Sequence, residues 1–256
     1  MGTGFKTLPR GDRLSAVNYN TARGAENAPT GDGCGRHPPQ PVASEPDLAP
    51  AQSPAQKKSL IAAERDEDAR ATWRAMMATV DPAALVFLDE TSTPLSLTPL
   101  RARAPRGQRA VGRVPRGKRP HISWLATLTT AGIGESLVVP GAVDRQVFDL
   151  FVERVLVPSL RPGQIVVLDN LKVHESATAR KRIEAAGCQL VFLPTYSPDF
   201  NPIELAFAKI KQALRRIAGR SWERLVAALG QALATVAASD AHAFFAAAGF
   251  PDHDTT

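Results

Sequence analysis

From Gln164 to Glu204 the chain reads QIVVLDNLKVHESATARKRIEAAGCQLVFLPTYSPDFNPIE, and few folds accommodate such a run. The apolar segment beginning at Ile165 ends on Asp169, and a polar stretch of helical character follows. A second apolar segment covers Leu190 to Leu193, and a proline-rich turn leads into Asn201-Pro202-Ile203-Glu204. Strand, helix and strand at this length imply a parallel pairing with a helical crossover. Asp169 then stands at the carboxyl end of its strand, where open α/β sheets place their ligands. Asn201 suits a helix N-cap and Pro202 the first helical position, so Glu204 falls on the first turn with its carboxylate held near the helix start.

Leu85-Val86-Phe87-Leu88-Asp89 is another unbroken apolar run ending in an aspartate, the pattern of a strand buried on both faces. Three carboxylates on one rim suggest a divalent metal site. Hard oxygen donors suit Mg²⁺ or Mn²⁺, and two such ions can clamp the attacking and leaving oxygens of a phosphoryl transfer. Each acid also has a plain structural reading, Asp89 and Asp169 as turn-forming acids and Glu204 as the partner of Asn201 in a capping box. Asn170 can hydrogen-bond near the metal site or form an Asx turn, and His174 can contact a phosphate or support an acid from behind. Glu90 follows Asp89 on the strand, so its side chain points to the other face and it is set aside as a ligand. Tyr196, Ser197 and Asn201 lie in the turn before Glu204, where their first role is to fix that carboxylate.

VFLDET, then VVLDN with His174, then LPTYSPDFNPIE with 34 residues between Asp169 and Glu204, together resemble the DDE transposases of the mariner superfamily, nearest the bacterial insertion-sequence family 630. The resemblance covers residues 57 to 250. It implies a ribonuclease-H-like fold, with a mixed five-stranded sheet flanked by helices. It also implies that Asp89, Asp169 and Glu204 are the catalytic acids and the ligands of two Mg²⁺ or Mn²⁺ ions. Asp89 would bridge the two, while Asp169 and Glu204 each complete one site. The activity implied is cleavage of DNA at insertion-sequence ends followed by strand transfer, with element ends and target duplex as partners and a homodimer as the candidate assembly. The alternative is a catalytically inactive or domesticated DNA-binding remnant.

Between Thr91 and Thr130 there is no Asp or Glu, but there are eight cations: Arg101, Arg103, Arg106, Arg109, Arg113, Arg116, Lys118 and Arg119. Interrupted by glycines and prolines, this stretch suits a loop that follows a phosphate backbone. The formal net charge of +6 agrees with a polyanionic partner. No segment approaches the roughly 20 apolar residues of a membrane span. Cys34 and Cys188 lack metal-ligand spacing and fit a reducing cytosol, which for this family implies a bacterial, nucleoid-associated protein.

Residues 1 to 56 hold eight prolines and seven glycines with little apolar periodicity, and are expected to form a disordered leader. Relatives carry helix-turn-helix modules upstream, so this segment reads either as a replacement of the original N-terminus by a frameshift or an internal start, or as a naturally disordered leader. From Lys57 the texture changes. Leu60, Ala63, Ala69, Trp73, Met76, Met77 and Val80 suit the inner face of an amphipathic helix. His121 to Thr129 and Glu135 to Pro140 read as a hairpin turning at Ala131–Gly134. Asp144 to Leu160 reads as one helix, as do Pro202 to Ala218, with Leu205, Phe207, Ile210 and Leu214 inward, and Trp222 to Ala238. A short helix over Ala241 to Ala248 ends the domain, and residues 251–256 are tail.

Overall fold

The computed structural model describes residues 17–18, 62–99, 101–112, 121–171, 174–217 and 221–250. Its strands are β1 (Val17–Asn18), β2 (Leu85–Pro94), β3 (His121–Thr129), β4 (Gly132–Pro140), β5 (Ile165–Leu168) and β6 (Gln189–Phe192), ordered β1-β4-β3-β2-β5-β6. The hairpin β3–β4 lies antiparallel on β2, whereas β2–β5 and β5–β6 are parallel. β2 to β6 are thus the expected mixed five-stranded, ribonuclease-H-like sheet, and β1 adds a two-residue edge on β4. The rest of the expected leader, the boundary at Lys57 and the tail lie outside the described residues.

Alternation along the strands divides the core into two layers. Leu85, Phe87, Trp124 and Val167 face α1 (Glu67–Met77), α4 (Pro202–Ile217), α5 (Trp222–Leu233) and α6 (Ala238–Ala247). Val86, Leu88, Leu125, Val166 and Leu168 face α2 (Arg145–Phe151) and α3 (Ala177–Ala185). Asp89 shares the parity of Leu85 and Phe87 and is carried towards the α4 layer, while Glu90 is carried to the other. Among the described residues no helix is long and apolar enough to cross a membrane.

Several expected elements are shifted for local reasons. The helix expected over Asp144 to Leu160 is α2, capped by Asp144 Oδ1 accepting from Val147 N (2.9 Å), then a π-helical turn Val152–Leu156 and a 3₁₀ turn Val157–Ser159. Pro158 has no N–H and cannot extend an α ladder. The helix expected to run to Ala238 stops at Leu233, and α6 starts at Ala238, where Asp240 Oδ2 accepts from Ala237 N (2.9 Å). α1 starts at Glu67, capped by Asp66, and buries Arg70, Trp73 and Met77, while Ala69 and Met76 point to solvent.

The β3–β4 turn is tighter than expected, Gly132 already belonging to β4 with φ +115°. At Gly134 an added Cβ would lie 2.5 Å from Thr127 Oγ1. Gly134→Ala is therefore expected to destabilise the domain by about 1–3 kcal/mol in a urea melt, and adding Thr127→Ala to recover most of that loss. An unchanged midpoint in the single variant would refute this account.

Candidate active site

β5 pairs with β2 only over Leu85–Phe87 and ends at Leu168, whereas β2 continues to Pro94 on β3 alone. Asp89 thus lies within its strand and not at its end, as the apolar run suggested. The residues after it, Thr91-Ser92-Thr93, are good strand formers and keep pairing with Trp124, Ser123 and Ile122. Where β5 stops, the flank of β2 opens into a cavity of about 310 Å³ lined by Asp89, Asp169 and Glu204 together with Asn170, Tyr196 and Asn201. The three acids come from mid-strand, from a strand end and from the first turn of α4.

Each aspartate is held from the protein side. Asp89 Oδ1 accepts from Glu90 N (2.7 Å), and Oδ2 accepts from Asn201 Nδ2 (2.9 Å). Asp169 Oδ1 takes a short hydrogen bond with His174 Nδ1 and accepts a longer one from Leu171 N (3.4 Å). His174 is buried against Phe148, ring centroids 4.8 Å apart. Glu204 is exposed, and its carboxylate has no hydrogen bond or ion pair to any described residue. The capping box is accordingly not formed. Asn201 turns its amide to Asp89, leaving its Oδ1 buried without a partner among the described residues, and only its backbone carbonyl accepts from Glu204 N (3.2 Å).

The electrostatics follow from this crowding. Burial, then the charge of Asp169, pushes the Asp89 carboxyl up to about 7, with Glu204 adding in the same sense and the Glu90 N–H and His174 opposing. Burial alone would lower His174, but its hydrogen bond to Asp169 and the surrounding acids outweigh this and raise it. Burial also raises Glu90, which lies on the far side of the strand, outside the cavity lining. Lys211, on α4, is lowered by burial although the charge of Glu204 opposes this.

The remaining expected residues divide. Asn170 lines the cavity and donates from Nδ2 to Thr195 Oγ1 (3.3 Å). Tyr196 does not brace Glu204: it is exposed, with a left-handed φ of 54° and no partner for its hydroxyl among the described residues. Leu205 faces solvent, and Ile203 and Ala206 take the inward positions expected of it. Arg101, Arg103, Arg106 and Arg109 are exposed and form no ion pair with a described residue. Arg113, Arg116, Lys118 and Arg119 lie outside the described residues.

One constellation was not foreseen. Arg70, fully buried on α1, donates from Nη1 and Nη2 to the two carboxylate oxygens of Asp199 (3.0 and 2.6 Å) in the 3₁₀ turn Pro198–Phe200 just before Asn201. The only sequence signal was its helical spacing with Trp73 and Met77, where an arginine reads as a breach of the apolar face.

Among the described residues no three His, Cys, Asp or Glu side chains are already gathered into a metal cage. The donor set nevertheless fits a hard divalent cation, with carboxylate oxygens on one open cavity and a buried acid whose carboxyl is pushed up to about 7 by burial and its neighbours' charge. Among solved structures, the fold is similar to a pre-cleavage Mos1 transpososome (17% identity, TM-score 0.58, covering 77% of this chain and 63% of that one). It is similar also to the Mos1 Strand Transfer Complex (17%, 0.60, 77% and 62%) and to the mariner Mos1 paired end complex with Mg (17%, 0.59, 77% and 65%). This is a likeness of fold, and the chain spans less than two thirds of those chains. No curated protein matches it. Residues 84–226, more than half of the 256, match the family described as DDE superfamily endonuclease, and they take in both buried strands, the crossover and the helix that bring the three acids together, so the chain belongs to that family.

Proposed function

We propose that this chain is the catalytic domain of a mariner-superfamily transposase of the insertion-sequence family 630 type, cutting DNA at element ends and joining the freed 3′ end to target DNA. The observation that carries this reading is the convergence of Asp89, Asp169 and Glu204 on one cavity, with Asp89 driven towards neutrality by burial and the nearby acids. The three carboxylates would hold two Mg²⁺ or Mn²⁺ ions, which when bound activate the attacking oxygen and stabilise the leaving one. The chain's own residues do the positioning. Asn201 and the Glu90 amide hold Asp89, and His174 holds Asp169, so that neither carboxylate has to be ordered when it is used.

The direct test is nicking of supercoiled DNA in Mg²⁺ or Mn²⁺ by the parent and by Asp169→Asn. Metal-dependent nicking lost in the variant is the expected result; metal binding with no cleavage of any DNA would favour the inactive remnant.

DNA contact is assigned to the basic stretch after β2, where Arg101, Arg103, Arg106 and Arg109 are free of protein partners among the described residues. Replacing these four with Ala is expected to weaken duplex binding and to reduce the slope of log K against log salt by about 0.9 for each phosphate that is no longer neutralised. An unchanged slope would move the DNA surface elsewhere, first to Lys211, Arg215 and Arg216 on α4.

A further inference from the structure

Pairing the buried Arg70 with the half-exposed Asp199 is an uneconomical way to stabilise a fold, because taking a guanidinium out of water costs about as much as its pairing returns, and apolar side chains of similar size often serve as well. Its geometry favours orientation instead. The bidentate contact, 3.0 and 2.6 Å, fixes Asp199 in both distance and plane. The next residue, Phe200, is gripped on its ring faces. Trp73 stacks on it at 5.2 Å between centroids and 9° between planes, and the Arg70 guanidinium lies 3.9 Å from its centroid. α1 therefore holds Asp199 and Phe200 with Arg70 and Trp73. The residue after Phe200 is Asn201, whose side chain bonds Asp89, and the α4 turn that follows carries Glu204.

We propose that Arg70 is a positioning residue. Through Asp199 and Phe200 it sets where Asn201 and Glu204 stand, and so the divalent-cation affinity of the acid site. The inference rests on the metal-site reading given under Proposed function, and it adds to the machinery of that site a residue of α1 that touches none of Asp89, Asp169 and Glu204.

The test is direct Mn²⁺ titration of the full chain, reading free Mn²⁺ by electron paramagnetic resonance well below the melting temperature, for the parent, Arg70→Met, Arg70→Lys and Asp199→Asn. Arg70→Met and Asp199→Asn are each expected to raise the half-saturating Mn²⁺ concentration about tenfold, the lower end of what removing a supporting partner of a ligand does. Arg70→Lys, with its single point of contact, is expected to fall between them and the parent. The double variant Arg70→Met with Asp199→Asn is expected to be no worse than either single one, since both break the same link. Asp199 has a half-exposed side chain, so its variant serves even where loss of the buried arginine prevents folding. A lowered melting temperature with the parent's half-saturation in Asp199→Asn would overturn the proposal and leave the pair a structural one. Absence of Mn²⁺ binding by the parent would instead overturn the metal-site reading, and the inference with it.

Discussion

Glu204→Ala is expected to lose metal-dependent DNA cleavage by at least about 100-fold, as loss of a group that stabilises developing charge does. It is also expected to lose stabilisation by Mg²⁺ while keeping the metal-free melting temperature of the parent. The structure sets these expectations apart. The Glu204 carboxylate is exposed and unpaired among the described residues, and Asn201, its would-be capping partner, is committed to Asp89. Removing an acid from a helix first turn costs about 0.3–1 kcal/mol, and relief of repulsion from Asp89 acts in the opposite direction, so the two largely cancel. The metal-linked term is larger: an ion at 100 times its dissociation constant stabilises the folded state by about 2.7 kcal/mol. Melts of parent and variant in EDTA and in Mg²⁺ separate the contributions. A variant that keeps the full Mg²⁺ shift would remove Glu204 from the site.

The metal-free protein is expected to become less stable as pH rises from about 4 to about 7, the opposite of ordinary acid denaturation. Asp89 has its folded-state carboxyl pushed up from 3.8 to about 7, by burial first and the Asp169 charge second. Between those values the folded chain binds a proton that the unfolded chain has released. The contribution is therefore fully present below the unfolded value and is lost as pH rises through the folded one. A shift of this size is worth on the order of 4 kcal/mol. His174, also raised, contributes with the same sign, whereas Asp199, lowered by its hydrogen bonds to Arg70, loses stability only as the solution becomes acidic enough to protonate it. Urea midpoints in EDTA between pH 5 and 8 should fall for the parent and fall less steeply for Asp89→Asn, which keeps an acceptor for Asn201, carries no charge and leaves the contributions of His174 and Glu90 in place. Saturating Mg²⁺ should reverse the trend, because the cation binds the ionised acid. A parent whose midpoint rises with pH in EDTA would show that Asp89 is ionised without a cation.

Local sequence determined a good deal of this protein. Unbroken apolar runs at Leu85–Leu88 and Ile165–Leu168, with a helix-length crossover after the second, imposed parallel buried strands, and the parity of each run set which face every residue would take. Pro202 after Asn201 started α4 where expected and put Glu204 on its first turn. These features are decided by neighbours a few residues away, through side-chain alternation and backbone restriction, and so they are legible in one dimension. What the sequence could not disclose depends on partners far apart along the chain. Asn201 reads as a cap, yet its amide is drawn to a carboxylate 112 positions earlier. Arg70 reads as a flaw in an apolar face, but is buried where Asp199, 129 positions later, accepts from its Nη1 and Nη2 and Phe200 covers its plane. β2 outlasts its apolar run because β3 goes on satisfying its backbone after β5 has ended, and that mismatch of strand lengths opens the cavity beside Asp89. The upward push on the Asp89 carboxyl is likewise tertiary. A carboxyl in a strand sequence has no reason to depart from its ordinary value until folding removes its water and brings Asp169 and Glu204 beside it.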